Sequence, residues 1–237
     1  MTMKATSATL QPGVKPMDIT VGSNSSSVPA NMFATVLFAL CMGILVSMPV
    51  RAEPAPEQVI QMAVEELLEE FTLRRGELEG DHPALYHMVA RVTHPYFDFS
   101  RISKLVLAQN WKSASSEQRR QFGMEFRKLL IRTYATALFQ YSGDGTMAFN
   151  TTRIKERGGM KFATVDSEIT LADGPPIPLS YSMILDGDGR WKIYNMTIAG
   201  VNLVTNYRKI YSASIRSLGL DGLIGSMREA NHVMRPG

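Results

Sequence analysis

Ile177-Pro-Leu-Ser-Tyr-Ser-Met-Ile-Leu-Asp-Gly-Asp-Gly-Arg-Trp-Lys-Ile-Tyr-Asn-Met-Thr-Ile-Ala-Gly200 decides the fold. Its first half alternates, with Ile177, Leu179, Tyr181, Met183 and Leu185 on one side of the chain. Its second half presents Tyr194, Met196 and Ile198 in the same way. A period of two marks β-strands with one buried face, and Asp186-Gly-Asp-Gly189 between them supplies glycines able to take positive φ, so the pair reads as a hairpin. Upstream the alternation runs back to Thr146, interrupted by Gly158-Gly159 and by Ala172-Asp-Gly-Pro-Pro176. Four strands follow, roughly 146–157, 160–171, 177–186 and 190–199, and turns this short make them an antiparallel meander.

On either side of the meander the apolar period lengthens to three and four, the spacing of helices. Between Glu57 and Arg75, Val59, Met62, Ala63, Leu67 and Phe71 fall near one face, and Gly76 to Pro83 should break this helix. A second helix is expected from Pro83 to Val92, and a third from Asp98, a residue suited to an N-cap. Ser115-Ser-Glu-Gln118 has capping-box spacing. After it Phe122, Phe126, Leu129, Leu130, Tyr134, Leu138 and Tyr141 share a stripe, while Arg119, Arg120, Arg127, Lys128 and Arg132 read as a solvated face. Beyond Gly200, Val201 to Leu218 and Asp221 to Asn231 read as the closing helices. Helices, meander and helices in that order predict an α+β domain with helices over one side of a curved sheet.

Residues 1–52 belong to none of this. A polar stretch rich in Ser, Thr, Gly, Pro and Asn precedes an uncharged apolar run, residues 32–48, and then Val50-Arg-Ala52. That order predicts a leader plus secretory signal cleaved after Ala52, with 53–237 a single domain. The run is also near the shortest length that spans a bilayer, so a retained anchor is the competing reading. Cys41, the only cysteine, lies in the run, leaving the remainder without disulfide, thiolate nucleophile or cysteine metal site. Of the net +3, Lys4, Lys15 and Arg51 against Asp18 account for two charges. A nearly neutral remainder argues against nucleic-acid binding.

The catalytic inventory is thin. There is no phosphate-cradling glycine loop, no nucleophile elbow and no His-Glu-x-x-His helix. His87 and His94 have no third ligand placed with them. Asp166 and Glu168 share a strand face with Thr164 and Thr170, the pattern of a half-solvated strand rather than an acid–base pair. The apolar strand faces, together with Val201, Leu203, Val204 and Tyr207 after Gly200, allow two readings: a filled core, or a pocket walled by adaptable Met and Tyr side chains.

Several stretches resemble the MlaC/Ttg2D family of phospholipid-binding proteins: Pro95-Tyr-Phe-Asp-Phe99 with Ile102 and Trp111, Gln118-Arg-Arg-Gln-Phe122 with Leu129-Leu-Ile-Arg-Thr-Tyr134, Pro176-Ile-Pro-Leu-Ser-Tyr-Ser-Met183, Trp191-Lys-Ile-Tyr194, Gly200-Val-Asn-Leu-Val204 with Asn206-Tyr-Arg208, and Gly219-Leu-Asp-Gly-Leu-Ile224. They run in family order over nearly all of 53–237, with Ala108, Asn195 and Asn202 replacing an expected Gly, Asp and Ser. The resemblance implies a periplasmic carrier without catalysis or cofactor that encloses phospholipid acyl chains. Its partners would be an inner-membrane ABC transporter with an MCE-domain subunit and an outer-membrane lipoprotein–porin complex, maintaining lipid asymmetry. The strand and helix faces then nominate Leu130, Tyr134, Leu138, Tyr181, Met183, Tyr194, Met196, Val201, Leu203, Val204 and Tyr207 as lipid contacts. A small cone-shaped enzyme of the ketosteroid-isomerase type and an anchored module with a filled core are the readings from other classes.

Overall fold

A computed structural model of the chain describes residues 53–140, 145–171 and 174–233. The polar leader, the apolar run and the cleavage site expected after Ala52 lie outside the described residues, as do Tyr141 and the Ala172-Asp173 turn. Helix α1 spans Pro56–Gly80 and passes straight through the expected break at Gly76. Leu78, fully buried beyond that glycine, holds the last turns down, and the Arg74–Glu77 and Arg75–Glu79 pairs lace the outer surface. Burial of a leucine is worth more than the roughly 1 kcal/mol penalty of a helical glycine.

Helix α2, His82–Thr93, is capped by Asp81, whose side chain accepts from the Ala84 amide at 2.9 Å. Helix α3, Phe99–Leu107, begins at the expected cap, with Asp98 accepting from the Arg101 amide at 2.8 Å. A single turn, α4, occupies Asn110–Ser113. Helix α5, Ser116–Ala135, opens with the reciprocal capping box: Gln118 N to Ser115 Oγ at 3.1 Å and Ser115 N to Gln118 Oε1 at 2.9 Å. A 3₁₀ turn, Thr136–Gln140, continues it.

Between α3 and α4, Ala108 adopts φ 52° and ψ −113°, a conformation that suits glycine and strains an L-residue. Ala108→Gly should therefore stabilise the fold by about 1 kcal/mol, seen as a raised urea midpoint with unchanged slope.

The sheet is an open antiparallel meander in the order β1-β2-β3-β4-β5. Its strands are Thr146–Arg157, Met160–Thr170, Ile177–Leu185, Trp191–Ile198 and Val201–Asn202. Five strands, not the four expected, result because Ala199 and Gly200 both take positive φ, 47° and 82°. That makes a two-residue hairpin, and the chain doubles back far enough to pair Ile198 with Val201 and Thr197 with Asn202. In the β3–β4 turn, Asp186 accepts from the Asp188 and Arg190 amides, so its carboxylate is a turn device. Asp166 likewise accepts from Ser180 at 2.6 Å and from Arg153 at 2.8 Å, bonds that hold its carboxyl below the ordinary value.

Helix α6, Leu203–Val233, is broken only at Gly219, where φ is 71° and ψ 173°. It lies along α5 and α3. Buried apolar residues form three separate clusters: one among α3, α5 and α6 around Phe122 and Phe126, one under α1 against the sheet, and one among α1, α2 and α5 around Phe71 and Met88. Arg120 is exposed as expected and pairs with Glu117 of its own helix, but three other arginines of α5 are fastened to the body. Arg119 stacks over Trp111 at 5.2 Å, Arg127 over Phe99 at 4.9 Å and Arg132 over Tyr86 at 5.4 Å. Arg127 and Arg132 also donate to the Ala90 and Asn231 carbonyls.

The C-terminal end of α6 is tied to α5 through Glu125 and Asn231, each 4% exposed. Asn231 Nδ2 donates to Glu125 Oε2 at 2.8 Å, and Lys128 Nζ donates to Oε1 at 3.0 Å. Burial raises the Glu125 carboxyl, but these donors outweigh it and leave the group below its ordinary 4.5. A carboxylate with a lowered folded pKa stabilises at neutral pH, and that contribution is lost as pH falls through the folded value. Glu125→Gln should thus cost about 2 kcal/mol at pH 7. Its melting temperature should also fall less steeply than that of the parent below pH 4.5.

Candidate functional site: an apolar cavity between sheet and helices

Helices and sheet do not meet everywhere. Between them lies a cavity of about 470 Å³, within the range of small-molecule sites. Helix α1 contributes Ile60, Ala63, Val64, Leu67 and Leu68, spaced by three and four; α2 and the loop after it add Val89, Thr93 and Phe97. Opposite stand Phe99, Ile102 and Val106 of α3, with Phe126, Leu130, Ile131, Tyr134 and Ala135 of α5 and Ala137 and Leu138 of the 3₁₀ turn. The sheet supplies Met147, Ile169, Ile177, Tyr181, Ile193, Asn195, Met196 and Ile198, and α6 begins on the wall with Leu203 and Val204.

Among the described lining residues no side chain is charged, and none is histidine or cysteine. The polar ones are mostly engaged. Thr93 Oγ1 donates to Val89 O at 2.7 Å. Asn195 Oδ1 accepts from the Val204 amide at 3.2 Å. Burial pushes the Tyr181 phenol up to about 12, so it is neutral at physiological pH. Such a wall can desolvate hydrocarbon, and among its described residues it presents no carboxylate, imidazole, ammonium or thiol that could act as a general acid or base. No cluster of potential metal ligands exists among the described residues, and no described helix is long and apolar enough to cross a membrane.

Of the residues nominated from strand and helix faces, Leu130, Tyr134, Leu138, Tyr181, Met196, Leu203 and Val204 stand on this wall. Met183, Tyr194, Val201 and Tyr207 do not, each for a physical reason. Met183, 0% exposed, sits one pleat beyond Tyr181 in the cluster with Val59, Ala163 and Trp191, where the space is filled. Tyr194 is the extra residue of a β-bulge: Ser182 pairs with Asn195 and Met183 with Ile193, leaving Tyr194 unmatched. A bulge resets which side chains share a face, so Ile193 lines the cavity before it, Met196 and Ile198 after it, and Tyr194 meets Phe162 with ring centroids 6.3 Å apart. Val201, on the short β5, is 51% exposed. Tyr207 packs edge-on against Phe126 at 5.1 Å, one layer behind the wall. Burial, then the neighbouring Tyr134, raise its phenol to about 12.

The wall residues from α1, α2 and α3 escape sequence reasoning. Their apolar faces are visible as helical stripes, but an apolar residue facing a void and one facing a core carry the same periodicity.

A helix-and-meander fold around a cavity whose described wall is apolar and uncharged defines the class, an α+β fold built around an internal apolar space. The family model described as "MlaC protein" matches residues 61–229, and the chain belongs to that family. The chain is 28% identical over 198 residues to the intermembrane phospholipid transport system binding protein MlaC of Haemophilus influenzae, covering 83% of this chain and 91% of the relative. It is 25% identical over 186 residues to the toluene tolerance protein ttg2D of Pseudomonas putida, covering 76% and 84%. Among solved structures, the phospholipid-binding protein of Ralstonia solanacearum, in complex with a phospholipid, superposes with a TM-score of 0.68 at 26% identity, over 77% of this chain and all of that one.

Proposed function

We propose that this chain is a periplasmic phospholipid carrier that takes acyl chains into the cavity and hydrolyses nothing. The observation that carries the reading is the wall itself, predominantly apolar and uncharged among its described residues, in a chain similar to a phospholipid-binding protein solved in complex with a phospholipid. Residues 1–52 act as leader and secretory signal, with cleavage after Ala52, and 53–237 form the exported domain. The Leu130, Tyr134, Leu138, Tyr181, Met196, Leu203 and Val204 side chains contact the lipid. An inner-membrane ABC transporter with an MCE-domain subunit and an outer-membrane lipoprotein–porin complex exchange lipid with it, in the service of outer-membrane lipid asymmetry; the relative's name as a phospholipid transport system binding protein supports that placement.

Energetics favour a carrier that unloads only at a membrane or a partner. Each buried methylene contributes about 0.8 kcal/mol, so one chain of ~16 carbons gains roughly 12 kcal/mol over water. Release into water is then very slow, whereas a bilayer buries the same chain equally well and leaves the exchange nearly balanced. The test is expression in a Gram-negative host, N-terminal sequencing of the periplasmic fraction and mass spectrometry of its lipid extract. A chain beginning at Glu53 with stoichiometric phospholipid supports the reading. Full-length protein confined to membranes, or exported protein free of lipid, overturns it.

A further inference from the structure

A second pocket, of about 360 Å³, lies between the α3–α4 turn and α6 and shares no lining residue with the apolar cavity. One wall is the turn itself, which Ala108 makes at φ 52°. The other is α6, where Arg208, Ser212 and Arg216, spaced by four, stand on one helix face. Arg208 Nε donates to the Leu105 carbonyl at 2.9 Å, which aims the side chain across at the end of α3. Both of its Nη groups are left without a hydrogen bond among the described residues, as are the Ser212 hydroxyl and the Arg216 guanidinium. No lining residue is acidic. The stretches that supply the pocket, 99–116 and 189–220, contain no Asp or Glu at all, and Lys104, Lys112 and Lys209 neighbour its residues in the chain.

Two guanidinium groups lining one hollow with no carboxylate between them are a repulsive pair until an anion joins them. Leu107 and Ile215 also line the hollow, and apolar neighbours lower the local dielectric and strengthen the attraction to such an anion. A guanidinium held by its Nε still offers two Nη donors in a fork that fits two oxygens of one oxyanion. A carboxylate has two oxygens and one charge, whereas a phosphate has at least three acceptor oxygens and close to two charges. That matches two arginines and a hydroxyl. A nucleic acid would call for an extended basic stripe rather than a hollow with two cations. We infer that this pocket binds a phosphate group, with Arg208 and Arg216 holding its charge and Ser212 donating to one oxygen. The same chemistry belongs to a lipid headgroup and to a soluble phosphate, and the site stands whether or not lipid enters the apolar cavity.

The test is calorimetric titration of the purified full chain with inorganic phosphate at low ionic strength. The parent should bind one phosphate, and Arg216→Gln should weaken that binding about tenfold. Arg216 is exposed and bonds to no other described residue, so the thermal midpoint of this variant should stay in place. Lys161→Gln removes the same charge from an exposed position on β2 outside the pocket and should bind as the parent does. Absence of phosphate binding, or equal weakening by the two substitutions, overturns the assignment. Flotation with phosphatidylcholine vesicles, with and without phosphatidic acid, then separates the sources. Retention by phosphatidic acid that Arg216→Gln abolishes supports the site with a lipid headgroup as its ligand. Phosphate binding without vesicle retention supports it with a soluble phosphate. Vesicle retention without phosphate binding makes this face a membrane-surface patch and overturns the pocket.

Discussion

Leu203→Asp is expected to give a folded protein that has lost at least about 100-fold in phospholipid affinity. Leu203 is the first residue of α6 and stands on the cavity wall. A carboxylate there meets the positive end of the helix dipole, where acidic side chains stabilise by up to about 1 kcal/mol, so the thermal midpoint should barely move. Towards the cavity it faces no described cation. Acyl methylenes pressed against an unpaired carboxylate force it to lose water, at a cost of several kcal/mol, and each 1.4 kcal/mol is tenfold in affinity. Native mass spectrometry beside a thermal melt separates the two effects, with Leu203→Asn as the neutral control. A folded Leu203→Asp protein that still carries lipid would remove this residue from the binding surface.

Met183→Asp should do the opposite and prevent folding. On β3 it shares a face with Tyr181, yet its surroundings are the closed cluster beneath α1. The substitution buries an uncompensated charge and leaves a void where the thioether packed. Losses of about 4–5 kcal/mol come from such sites, against total stabilities of roughly 5–15 kcal/mol. One aspartate on the cavity wall and one in a closed cluster thus give contrasting phenotypes, ligand loss from the first and collapse from the second. A Met183→Asp protein with a native melt would mean that water reaches this end of the sheet.

Much of the architecture is legible in the chain. The period-two run from Thr146 and its glycine turns place four strands to within a residue or two. Asp98 and Ser115 mark helix starts that the hydrogen bonds bear out. What escapes are features depending on partners distant in sequence. Gly76 reads as a breaker because nothing local announces that Leu78 will be buried. Ala199 conceals a hairpin because an alanine rarely takes positive φ. Arg119, Arg127 and Arg132 read as solvated because stacking on Trp111, Phe99 and Tyr86 is a tertiary event. The cavity is the hardest to read, since periodicity reports which residues leave water and not what they then face. Tyr194 falls to the same limit, as a bulge is invisible until the partner strand is in register.

The three apolar clusters touch the cavity from different sides: Ile60, Tyr181 and Ile193 from one, Ile102, Val106, Phe126 and Val204 from another, and Val89, Ile131 and Ala135 from the third. If lipid is the ligand, as proposed, it is the keystone of the arch. Filling the cavity joins the three clusters into one, and by mass action a ligand at a thousand times its dissociation constant adds about 4.1 kcal/mol of stability. On the proposed carrier reading, every delivery leaves behind a softer molecule than the one that arrived, and rigidity itself reports whether the protein is full or empty.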